Sequence, residues 1–133
     1  MSNNRLQFFP LWLSLGWLLV VTIFYLSLNS NPLVPKSHLP FDKVEHLFAY
    51  ATVMGWFSQL YPERRQVGLL ALALIGMGAF IEVLQGLIGQ RNEDIFDVVA
   101  NSLGVLTGWL LTRTWLGNVV SVLDRELAAR RSQ

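Results

Sequence analysis

Three short runs hold most of the residues able to do chemistry. In "FDKVEHLFAY" (41–50), Asp42, His46 and Tyr50 are four apart and so share one helix face. In "IEVLQ" (81–85), Glu82 and Gln85 are three apart and adjacent on another. In "RNEDIFDVVANSLGVLTG" (91–108), Asp97, Asn101, Gly104 and Gly108 follow a 4, 3, 4 spacing, with Asp94 and Arg91 one and two turns earlier. Carboxylates beside an imidazole suit acid/base work, since burial raises a carboxyl's proton affinity and His46 would be its partner. The same set offers one nitrogen and several oxygens, which would suit manganese or magnesium better than zinc. No HExxH-type motif is present, so no metal and no cofactor is assigned. Arg91 has the planar fork that grips a phosphate or carboxylate.

The elements that position these residues are apolar. The chain has 133 residues, of which 53% are hydrophobic and 14% charged, with a mean hydropathy of +0.42. That is too greasy for an ordinary soluble domain of this size. A spanning helix needs roughly 20 mostly apolar residues. Runs of that kind occupy about 8–28, 42–60, 66–88 and 94–115, separated by short polar breaks. The expectation is an all-α integral membrane bundle of four transmembrane helices with short loops, one domain over 1–133. The tail, 116–133, is either an amphipathic surface helix with Val119, Val122, Leu123 and Leu127 on one side or a solvated extension. "NSNPLVPK" after the first run does not resemble a signal cleavage site, so that run reads as an uncleaved helix. Net charge +1 and the absence of cysteine argue against nucleic acid as a partner and exclude disulfides.

Four spans place both termini on one side. Seven of the ten basic residues then fall on that side and three, Lys36, Lys43 and Arg91, on the other. Positive charge near spans is retained inside, which implies cytoplasmic termini in a bacterial inner (cytoplasmic) membrane and an outward-facing acid cluster. At about 1.5 Å of rise per residue, Glu82 and Asn101 each lie roughly 10 Å below the turn that joins their helices. The three polar stripes would therefore line one pocket, because an ionised carboxylate facing lipid costs at least about 2.5 kcal/mol. Arg91 is the nearest candidate cation. Gly104 and Gly108 form a GxxxG step expected to admit a neighbouring backbone.

"FDKVEHLFAYATVMGW" with "GAFIEVLQGLIGQRNEDIFDVVANSLGVLTGWLL" resembles the VanZ-like membrane proteins. The matching positions are Asp42, Lys43, His46, Tyr50, Glu82, Gln85, Arg91, Asp94, Asp97, Asn101 and Gly104, across about residues 40–112. The family's namesake is associated with raised resistance to the glycopeptide teicoplanin, so the resemblance implies an envelope role, with a lipid-linked envelope precursor or a glycopeptide as partner beside the bilayer itself. Two alternatives stand next to that reading: a membrane-embedded enzyme using Glu82, Asp97 and His46 as acid and base, with the balance against catalysis, and a purely structural or accessory protein. A homo-oligomer is left open.

Overall fold

A computed structural model describes residues 6–29, 41–88 and 95–132, leaving aside the side chains of Phe41 and Asp42. Helices occupy the four expected places: α1 (Phe9–Leu28), α2 (Phe41–Leu60), α3 (Arg64–Ile88) and α4 (Ile95–Leu111). A single 3-10 turn (Trp115–Asn118) leads into α5 (Val119–Arg131), and there is no strand among the described residues. Pro10 stands in the first turn of α1, where its missing amide hydrogen costs nothing. Pro62 helps keep α2 and α3 apart as separate helices, because it biases Tyr61 away from helical geometry.

Helix α2 is the centre of the assembly. Its Tyr50, Val53, Met54, Phe57 and Leu60 repeat at helical spacing, and all are buried. They meet Trp12 of α1, Val67, Ala71 and Leu74 of α3, Val105 of α4 and Val120 of α5 in one core. The α2–α4 pair is the most extensive interface. Gly104 lies against the backbone carbonyl of Leu47 and Gly108 against that of Ala51, each closer than a side chain would allow. Side chains here would push the two backbones apart and spread everything carried between them. Gly16 of α1 works less severely, facing the Phe57 ring and the Trp56 indole.

The outer faces remain apolar. Trp17, Leu18, Val21, Tyr25 and Leu26 of α1 and Leu69, Leu72, Phe80 and Leu87 of α3 are exposed, which in water would be an aggregating surface and in lipid is an ordinary one. Helices α1 and α3 are each long and apolar enough to cross a membrane, and α4 joined to the bent segment after it forms a third candidate. Helix α2 falls short by itself because Lys43 and Glu45 interrupt its start, and α4 because it has only 17 residues.

The fourth run does not continue to residue 115 as expected. Helix α4 ends at Leu111, and the chain turns by 76° into the segment containing α5. That segment is docked rather than trailing. The Val120 amide donates to Gln59 Oε1 of α2 at 3.0 Å. Asp124 accepts from the amides of Gln7 and Phe8 at 2.7 and 2.9 Å and from Trp12 Nε1 at 2.7 Å. The carboxylate thus meets amides at the start of α1, whose Phe8 cap offers no side-chain hydrogen bond of its own. Val119, Val122, Leu123 and Leu127 stay exposed beside this docked face.

Burial alone would raise the proton affinity of Asp124, but the hydrogen bonds from Trp12, Phe8 and Gln7 outweigh it and hold the carboxyl below its ordinary value. A depressed carboxylate stabilises fully above its unfolded pKa of about 3.9 and loses that contribution as pH falls through the folded value. Asp124→Asn is accordingly expected to melt several degrees below the parent from pH 8 to 5, with the gap closing below about pH 4. Thermal melts across that range check this, and equal melting at pH 7 would remove the clamp from the account.

Candidate functional site

The polar stripes of α2, α3 and α4 converge at the end of the bundle away from α5. Asp97 enters in the first turn of α4, where an acid suits the positive end of the helix dipole. It is fully buried, and its Oδ1 accepts from Lys43 Nζ of α2 at 2.6 Å, with the lysine side chain 38% exposed. The Lys43 ammonium also lies 5.8 Å from the Phe96 ring centroid, within reach of a cation–π contact. Asp97 Oδ2 faces His46 Nε2 at 3.8 Å.

Glu82 completes the group from α3. One ligand-type atom each from His46, Glu82 and Asp97 lies within 4.8 Å of the others. Glu82 is 5% exposed, and Tyr50, one helical turn below His46, is 2% exposed. Asn101 sits one turn below Asp97. A side chain added at Gly78 would stand 2.7 Å from Asn101 Nδ2 and 3.2 Å from the Tyr50 hydroxyl oxygen, so this glycine in α3 makes the room in which those two polar groups meet. Gln85, one turn nearer the bundle end than Glu82, donates through Nε2 to the Ser27 carbonyl of α1 at 2.6 Å.

The result is a polar column graded in depth, from the half-exposed Lys43 through His46 to Asp97 and Glu82, with Tyr50, Gln85 and Asn101 buried around them. The Tyr50 hydroxyl, Gln85 Oε1 and Asn101 Oδ1 have no hydrogen-bond partner among the described residues. Buried polar atoms are rarely left so, because each costs about 1–3 kcal/mol unsatisfied. Three such atoms beside a carboxylate pair describe a place where something polar belongs.

Of the residues selected from the sequence, His46, Tyr50, Glu82, Gln85, Asp97 and Asn101 stand at this junction. Gly104 and Gly108 sit on the α2 contact just below it. Asp42 lies in α2 with its side chain outside the described residues, and Arg91 and Asp94 lie outside them altogether. The candidate cation named from the sequence, Arg91, lies outside the described residues, and among these Asp97 pairs with Lys43, which the sequence did not single out as its partner, across 54 residues. The signal was present in the Asp-Lys step of the second run. Gly78 and Gly76 look alike in the sequence, and only contact across helices separates them, since Gly76 has open space around it.

Breaking a buried pair by removing one partner strands the other. Lys43→Met should therefore melt lower than the parent, and Lys43→Met with Asp97→Asn should recover part of that loss. The coupling between the two changes is expected at about 1–3 kcal/mol by double-mutant cycle, within the range for contacting residues. Additive losses would mean that the pair carries no shared energy.

No curated protein and no solved structure gave a match. The family model described as VanZ/LLP1 matches residues 3–116, which takes in α1 to α4 and every residue of the junction. A helical chain with apolar outer faces, with this polar junction inside the matched region, is thus a member of the VanZ/LLP1 family.

Proposed function

We propose that the chain is a multi-pass protein of the bacterial inner membrane whose polar junction receives the head group of an amphiphilic cell-envelope molecule, such as a lipid-linked precursor. In this reading α2 and α4 cross the membrane together with α1 and α3, because their polar faces turn toward one another and their outer faces carry Phe48, Leu103, Leu106 and Leu110. The basic residues near the α2–α3 turn and after α4 then keep both termini in the cytoplasm, and the junction opens outward.

The observation that carries the proposal is the depth gradient of the polar column. Charge runs from the half-exposed Lys43 to the fully buried Asp97 within one side-chain contact, at the end of a bundle whose flanks are apolar. Helix assembly needs much less, since a hydrogen bond between membrane helices contributes only about 0.6 kcal/mol on average. A ligand with a polar head and a hydrocarbon tail matches such a boundary, with the head among Lys43, His46 and Asp97 and the tail left in lipid. The family's association with teicoplanin resistance is consistent with an envelope ligand.

A second reading has its own support. His46, Glu82 and Asp97 bring an imidazole and two carboxylates within 4.8 Å of one another, which would serve acid/base chemistry on the same ligand.

Detergent-purified protein titrated with a polyprenyl phosphate and, separately, with a glycosylated diacylglycerol should bind one of them. Asp97→Asn should weaken that binding about tenfold or more, because a buried charge contact is lost. Equal binding by parent and variant would place the contact on the general lipid-facing surface and end the proposal.

A further inference from the structure

We infer that a cleft at the end of the bundle opposite the junction binds a phosphate-bearing anion. The cleft measures about 320 Å3 and is lined by Ser58 of α2 and Tyr61 just after it, by Arg64 at the start of α3, and by Trp109, Thr112 and Arg113 around the end of α4. Since a water molecule takes about 30 Å3 of the liquid, a phosphate group and part of its hydration fit there. No acidic residue lines the cleft, and Arg65, next to Arg64 in the chain, does not line it either.

Both arginines have donors to spare. Neither guanidinium takes part in a hydrogen bond or an ion pair among the described residues. Arg113 stands where a basic side chain commonly caps the last carbonyls of a helix, but those of α4 are already taken. The amides of Thr112 and Arg113 donate to the Gly108 and Leu110 carbonyls, the Thr112 hydroxyl to that of Trp109, and the Thr114 amide and hydroxyl to that of Leu111. The Arg113 guanidinium instead lies over the Trp109 ring, 5.6 Å from its centroid. Contact with a ring face holds the guanidinium in place and leaves the N–H groups along its edge free for an anion.

Ser58 brings a third donor. Helical serines elsewhere in the chain satisfy themselves locally, Ser14 and Ser102 each donating to the carbonyl four residues back. Ser58 does not: its Oγ is buried and has no partner among the described residues, and it gains one by turning into the cleft that it lines. Arginines on the cytoplasmic side orient a membrane protein wherever they stand near a span. That role asks for no cleft, no stacked guanidinium and no hydroxyl between them. Basic pockets between helix ends on the cytoplasmic side take phosphate head groups, and in the topology proposed above this end meets the cytoplasmic leaflet. A phosphate from lipid and one from solution offer the same oxygens to the two guanidiniums.

The test uses the full chain, delipidated in a non-ionic detergent and titrated in separate arms with phosphatidic acid, phosphatidylcholine and inorganic phosphate. Native mass spectrometry counts bound lipid, and thermal shift reports inorganic phosphate. Phosphatidic acid should bind once per chain and more tightly than phosphatidylcholine. Its affinity should fall about tenfold in Arg64→Gln and in Arg113→Gln, each of which removes a charged hydrogen bond. Ser58→Ala should lose less, and Arg65→Gln, the same change of charge one residue away, should stay within about twofold of the parent. Inorganic phosphate that protects the parent but not Arg113→Gln assigns the anion to solution, and binding of phosphatidic acid alone assigns it to the leaflet; both results keep the site. Equal losses in Arg64→Gln and Arg65→Gln, or no arginine-dependent binding of either phosphate probe, overturn the inference in favour of diffuse surface charge. Asp97→Asn should leave this binding unchanged, which separates it from head-group binding at the junction; loss in that variant alone would move the phosphate to the junction and likewise overturn the inference.

Discussion

A carboxylate with no exposed surface, Asp97, must be compensated where it lies, and the architecture follows from that requirement. Its Lys43 partner is on α2, 54 residues earlier, so α2 and α4 have to run side by side in one register. Gly104 and Gly108 make that register possible by letting the α4 backbone rest on the Leu47 and Ala51 carbonyls. Bulkier residues would open the interface and let water or lipid reach the pair. The glycine contact and the ion pair are thus two halves of one constraint, the first supplying the geometry that the second needs.

Glu82 reaches the same point from α3 because Gly78, four residues earlier on the same face, leaves room for Asn101 and Tyr50. Helix α1 closes the remaining side by accepting the Gln85 hydrogen bond at Ser27. At the opposite end the bundle is fastened by different means. Asp124 clamps the start of α1, Gln59 holds the start of α5, and Trp12 and Trp56 pack at 6.0 Å between ring centroids. Hydrogen bonds fasten this end, while at the other the buried Tyr50 hydroxyl, Gln85 Oε1 and Asn101 Oδ1 have no partner among the described residues.

Much of this was legible in the sequence, for identifiable reasons. Helix positions followed from apolar run length, and the convergence of His46, Glu82 and Asp97 followed from spacing plus the cost of turning acids toward lipid. What spacing cannot fix is rotation about each helix axis, which decides whether Lys43 or another cation meets Asp97. Nor did it mark where α4 stops: "LLTRTWLGNVV" stays apolar enough to continue, and the turn that follows α4 needs Gly117, where an added side chain would meet the Thr112 carbonyl. The Asp124 clamp left no local trace, since its partners, two backbone amides and the Trp12 indole, are more than a hundred residues away.

The central proposal is that Glu82 is kept at the junction for a ligand and not for assembly. Its most direct test is the melting temperature of Glu82→Gln beside the parent, a near-isosteric change that removes one charge from the crowded interior. The account predicts that the variant melts at the same temperature or higher, because a functional site holds charge at a cost to stability. A variant melting many degrees lower would show Glu82 bracing the helices and would contradict it.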